Sequence, residues 1–363
     1  MNSAAADTLF VATRKGLVEV RRAPTPSGWR IGRCHFIAEP VTLALLDPRS
    51  GARYAALAHG HFGVKLHRSD DGGDTWRELP APAHPPEDGG EGPSVSMVWS
   101  LEHGGADRPG RLWAGTLPGG LFRSDDGGES WALVESLWNV PERARWFGGG
   151  YDEPGLHTLL VDPRDSDTLT AAVSCGGIWR SRDAGASWQS VGEGLRADYV
   201  PPDQAHDLPI QDPHRLAVCA ARPDVVWCQH HNGVFRSEDA GVTWRALDAI
   251  RPSGFGFAVV AHPTDPDTAW FVPAVKDEER VPADRRLVVA RTRDGGASFE
   301  VLDRGLPSPS FDIVYRHALA ADGSGERLAM GSTTGNLFVS EDAGDSWQLV
   351  SAHLPPIHQV AFG

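Results

Sequence analysis

Short apolar runs, each only a few residues long, recur along the chain and are cut by glycine and by acidic turns. Leu112-Trp113-Ala114-Gly115-Thr116 followed by Gly120-Leu121-Phe122-Arg123 reads as two strands joined by a glycine turn, and Leu9 to Val18 has the same form around Gly16. Behind most such pairs stands one octapeptide, Ser69-Asp70-Asp71-Gly72-Gly73-Asp74-Thr75-Trp76 in its first copy. It returns at 124–131, 181–188, 237–244, 292–299 and 340–347, with starting points 55, 57, 56, 55 and 48 residues apart. That period matches one four-stranded propeller blade with its loops. The pattern predicts an all-β chain: a seven-bladed β-propeller of four-stranded blades forming one domain over residues 1–363. The N-terminal strand pair carries a degenerate turn, Pro24-Thr25-Pro26-Ser27-Gly28-Trp29, and lacks a first strand. Ile357-His358-Gln359-Val360-Ala361-Phe362 has no blade of its own and is expected to complete that first blade, so that no strand edge is left open.

The octapeptide has a physical logic. Its Asp accepts backbone N–H groups in a tight turn, its Gly permits positive φ, and its aromatic residue is expected to bury the turn in the core. The repeat resembles the Asp-box, or BNR repeat, of sialidases, xyloglucan-degrading endoglucanases, sortilin-like receptor domains and a photosystem assembly factor. The resemblance implies the propeller fold and leaves function open, because that group spans enzymes, receptors and assembly proteins.

Composition narrows the function. A formal charge of -14 and a pI near 5.5 argue against wrapping a phosphate backbone, so nucleic acid is not an expected partner. No apolar run is long enough to cross a bilayer, and the segment Met1 to Asp7 has no basic stretch leading into an apolar one. The expected location is the cytoplasm, where Cys34, Cys175, Cys219 and Cys228, which show no C-x-x-C spacing, stay reduced.

Registering the first strands on their hydrophobic-then-Asp-Pro pattern, as in Leu156 to Pro163, puts His157, His214, His317 and His358 at one equivalent position. Thr42, Phe257 and a residue near Ser96 take that position in the other blades. Converging imidazoles suit a divalent transition metal (Fe, Mn, Cu or Zn), so the pattern points to a metal site on the propeller axis. His59, His61, His230, His231 and Cys175, on loops opening to the same face, form a second tier. His35, His67, His84, His103, His206, His262 and His353 read as structural or surface residues.

Four axial histidines resemble the iron site of carotenoid-cleaving oxygenases, and a histidine-rich propeller metal resembles that of oligogalacturonate lyases. Either resemblance implies a metal-dependent oxygenase or lyase acting on a small organic or saccharide substrate. The irregular segments Glu135 to Pro154 and Gly192 to Pro213 could wall a pocket. In the first, Arg145 could hold a carboxylate, and Tyr151 or Glu153 could move a proton; Tyr199, His206 and Asp207 in the second have weaker claims. Sialidases use an Arg-Ile-Pro segment, which is absent here, so that activity is not expected. The alternatives are a carboxylate-based glycoside hydrolase of the Asp-box type and a non-catalytic intracellular scaffold.

Overall fold

Each apolar strand pair lies at the middle of a four-stranded antiparallel sheet, with alternate side chains packed on both faces. The computed structural model describes residues 6–23, 28–86 and 92–363. It contains seven such sheets, the blades of an all-β, seven-bladed propeller fold. Blade 1 runs Ile357–Phe362, Thr8–Thr13, Gly16–Arg22, Trp29–His35, so the expected closing strand is present, with Val11 opposite Val360 and Phe10 opposite Ala361. Blades 2 to 7 follow in chain order. Their first strands are Val41–Leu46, Met97–His103, Leu156–Val161, Pro213–Val218, Gly256–Ala261 and Leu319–Ala321. Blade 6 gains a short extra strand, Glu279–Pro282, on its second strand Ala269–Lys276. The degenerate turn of blade 1 lies at residues 24–29, of which 24–27 fall outside the described residues.

The chain groups into two compact units. The larger unit comprises Met1–Ala38, Glu193–Ala205 and His214–Gly363, with blades 1, 5, 6 and 7. The smaller comprises Glu39–Gly192 and His206–Pro213, with blades 2, 3 and 4.

All six octapeptides make the same turn. In the first, Ser69 Oγ donates to Asp71 Oδ1 (2.8 Å) and accepts from Gly73 N (2.8 Å). Asp71 in turn accepts from Thr75 N (2.9 Å) and Thr75 Oγ1 (2.6 Å). These donors hold the carboxyls ionised well below the usual range; the equivalents Asp126 and Asp294 are lowered to about 2, chiefly by the hydroxyls of Ser130 and Ser298. The turn aromatics are less central than the sequence suggests: Trp244 and Trp347 are buried, whereas Trp76, Trp131, Trp188 and Phe299 are half-buried. The fully buried large rings sit instead on the second and third strands, as Tyr54, Trp113, Trp179, Trp227 and Trp270. A residue paired on both sides in mid-blade is sandwiched by neighbouring sheets, while a turn reaches only their rim.

Among the described residues no helix is long and apolar enough to cross a membrane. All four cysteines are free thiols, with Cys34 exposed and the other three buried.

Candidate active site

The first strand of a blade begins with an extra residue. Pairing to the second strand jumps between Val41 and Leu43, Val98 and Ser100, Leu156 and Thr158, and Gly256 and Val259. In blade 1 it jumps from Gln359 to Ile357. Thr42, Trp99, His157, Phe257 and His358 therefore occupy bulges, which turn a side chain out of the pleat. The occupant in blade 3 is Trp99 and not a residue near Ser96. The sequence run there ends in Glu102-His103 and lacks the Asp-Pro that sets the register elsewhere.

This position links a blade to the next one. Thr42 Oγ1 donates to Val98 O (3.2 Å), His157 Nε2 to Pro213 O (2.8 Å), and His214 Nδ1 to Gly256 O (2.6 Å). In each case the acceptor is the carbonyl of the residue just before the equivalent position in the following blade. A carbonyl only accepts, so the donating nitrogen carries the proton and the tautomer is set. In neutral His157 the other nitrogen, Nδ1, then accepts from Thr158 Oγ1 at 2.9 Å. The rings also pack on neighbours: His157 stands edge-on to Trp99 at 5.5 Å, and His214 lies flat on Phe257 at 4.7 Å and 16°.

The structure gives His157 partners other than the expected metal. Both nitrogens of His157 are engaged, and the residue is fully buried. His317 meets blade 1 through its main chain, its carbonyl accepting from Val360 N (3.0 Å), while His358 is half-buried on the closing strand. Within the larger unit His214, His317 and His358 do not form a set of three converging donors among the described residues. Two of the four histidines, His157 and His214, share with Thr42 a side-chain hydrogen bond to the carbonyl just before the next equivalent position.

The second-tier residues are scattered. His59 faces Glu39 at 3.1 Å, His61 is exposed against Phe62, and buried His230 accepts from Asn232 N (3.0 Å) to brace its own turn. Cys175 is buried with φ at +50°, an unusual conformation for a residue with a side chain. Its N–H donates to Asp212 Oδ1 (3.1 Å), and its carbonyl accepts from Phe147 N (3.2 Å).

In the smaller unit, the connection between blades 3 and 4 brings the remaining sequence candidates to one end of the sheets. Tyr151 is half exposed and stands edge-on to Trp99, with ring centroids 5.0 Å apart at 88°. Asp152 and Glu153 are exposed beside it, and Arg145 pairs with Asp207 across two segments. Sequence reasoning missed Asp212, which is 4% exposed; besides Cys175 N it accepts from Ser174 Oγ at 3.1 Å. Its Oδ2 lies 3.9 Å from where a Cβ on Gly149 would be, so the glycine run 148–150 passes directly over this carboxylate. The Gly-Gly-Gly run itself was the available signal, since a chain passes this close to a buried group only where side chains are absent.

In the larger unit, a row of rings crosses the same strand ends of blades 5 and 6. Tyr199 meets His231 (5.1 Å), His231 meets His214 (5.4 Å) and Phe255 (5.5 Å), Phe255 meets Phe257 (5.3 Å), and Phe257 meets Tyr315 (5.2 Å).

No family model matches the chain. It is 24% identical over 257 residues to a xyloglucanase of Hypocrea jecorina, a stretch covering 66% of this chain and 24% of that protein. It is 27% identical over 158 residues to a xyloglucanase of Acetivibrio thermocellus, covering 38% of this chain and 17% of that one. The chain thus spans about a quarter or less of the length of these relatives. Among solved structures, an ancestral GH74 enzyme superposes with a TM-score of 0.60 at 16% identity, over 85% of this chain and 38% of that chain. That superposition shows a shared fold.

Proposed function

We propose that this chain acts on saccharides as a glycoside hydrolase, with its site at the end of blades 3 and 4 in the smaller unit. The observation that carries the reading is the pairing of Tyr151, an exposed ring braced on Trp99, with carboxylates in two unlike settings, Glu153 in solvent and Asp212 beneath the glycine run. A braced ring presents a flat apolar face to the C–H groups of a pyranose without losing side-chain freedom. Carboxylates in unlike surroundings divide into acid and base roles, as hydrolysis of a glycosidic bond requires. The likeness to xyloglucanases supports a hydrolase over the oxygenase or lyase suggested by the histidines.

In this reading Glu153 gives a proton to the departing sugar oxygen. Asp212, which accepts from Ser174 Oγ and Cys175 N–H, provides the second carboxylate, and Arg145, fixed by Asp207, orients hydroxyls. The test is release of reducing ends from xyloglucan and unsubstituted β-glucans. Glu153→Gln and Asp212→Asn are each expected to lower kcat at least 100-fold with melting unchanged. Tyr151→Ala is expected to raise KM about tenfold. Wild-type turnover that survives both carboxylate changes would remove this assignment.

A further inference from the structure

Six of the seven blades end on a very short outer strand of two to four residues: Arg77–Leu79, Ala132–Leu133, Gln189–Val191, Arg245–Ala246, Glu300–Leu302 and Gln348–Ser351. A strand bonded on one side only presents N–H and C=O groups on the other, and a short edge is a common guard against pairing with other chains. Blade 1 lacks this guard. Its outer strand, Trp29–His35, runs for 7 residues at the edge of its sheet, in the larger unit. Arg30, Ile31, Gly32 and Cys34 on it are exposed, Ile31 at 46%, and just beyond its end Ile37 is 75% exposed.

The charge around this edge is opposite to that of the molecule. Residues 8–38 hold six cations, Arg14, Lys15, Arg21, Arg22, Arg30 and Arg33, against one acid, Glu19, in a chain of net charge -14. The Glu19 side chain is fully buried and accepts from both Arg33 (2.9 Å) and Arg21 (3.0 Å), so that pair of guanidiniums carries a surplus of positive charge. Arg22 is matched by Glu341 (2.6 Å), while Arg14 and Lys15, in the hairpin before Gly16–Arg22, are exposed. A second copy laid on the same edge would bring these cations against themselves. An acidic strand would meet them with opposite sign.

We infer that the outer edge of blade 1 receives an acidic, extended segment of another protein, which adds a fifth strand beside Trp29–His35, with Ile31 against its apolar side chains and Arg30 beside its carboxylates. The surface uses residues of blade 1 alone and does not depend on the hydrolase reading, so either can fail without the other.

The experiment titrates the full chain with a fluorescein-labelled heptapeptide of alternating glutamate and valine, read by fluorescence anisotropy. Two control peptides replace its glutamates by lysine or its valines by proline. The glutamate–valine peptide is expected to bind at least tenfold more tightly than either control, because lysine reverses the charge and proline removes N–H groups from the ladder, and to weaken in 0.5 M NaCl as screening sets in. Arg30→Glu is expected to weaken it at least tenfold with melting unchanged. Cys34, the one exposed cysteine of the four, reports the place: saturating peptide is expected to slow its alkylation by iodoacetamide at least fivefold. A glutamate–valine peptide that binds no better than either control, binds Arg30→Glu as it binds wild type, or leaves Cys34 alkylation unchanged would overturn the site. A stable dimer of the free chain that Arg30→Glu disperses would overturn it too, by assigning the edge to a second copy.

Discussion

His157 shows how one side chain can invite two chemistries. Sequence registration singles it out as a ligand because histidine repeats at its position, yet the fold uses it as a bridge between blade 4 and Pro213 O while it packs against Trp99. The same bond made by Thr42 in blade 2 shows that the position asks for a donor of modest reach, and imidazole is one answer among several. His157→Ala removes a buried bond and its packing and leaves a carbonyl unpaired, so it is expected to cost about 2–4 kcal/mol in denaturant unfolding. Dialysis against a chelator is expected to leave the wild-type melting temperature unchanged. A chelator-induced drop that His157→Ala abolishes would restore the metal reading.

At the scale of the element, the repeated turn carries its own inefficiency. Its fourth residue sits in the left-handed region in every copy, as Gly72, Gly127 and Gly295 in three turns and as Ala184, Ala240 and Ala343 in the other three, with φ between +54° and +58° for the alanines. A Cβ there costs about 1–2 kcal/mol, and glycine gives back part of that gain through its looser unfolded chain. Ala184→Gly, Ala240→Gly and Ala343→Gly are each expected to stabilise by about 0.5–1 kcal/mol in urea unfolding, additively because the turns belong to different blades. Destabilisation by all three would show that the turn backbone is not strained. The strands, the turn positions and the borrowed first strand could all be read from the sequence because each rests on local spacing. The proposed site could be read only in part. Tyr151, Arg145 and Glu153 lie on a loop whose composition advertises chemistry. Asp212 acquires its meaning from Ser174 and Cys175, partners that the chain brings to it only once folded.

For the molecule as a whole, burial of histidines sets how stability responds to acid. His67, His84, His103 and His262 all titrate below their ordinary value, with desolvation the leading cause, and His84 is lowered to about 4, with Arg143 adding to the effect. His84 packs between Phe122 (5.1 Å) and Trp138 (4.3 Å), with neither ring nitrogen hydrogen-bonded among the described residues. The unfolded chain takes up these protons near pH 6.5 and the folded chain does not, so their penalty is absent above that pH and grows as pH falls toward 4. Wild type is expected to lose melting temperature relative to His84→Phe progressively over that window, with a constant offset above it. An offset that stays flat from pH 7 to 4 would mean that His84 is not buried in its neutral form.

The borrowed strand of blade 1 also sets a timetable for synthesis. Thr8–Thr13 leaves the ribosome early but cannot pair with Ile357–Phe362 until translation has passed Phe362, so its backbone edge waits unpaired while the six intervening blades are made. A chain stopped short of that point keeps the edge and remains sticky, the kind of surface that chaperones and proteases recognise. Final locking of the first blade is therefore a check that the reading frame was followed through to that strand.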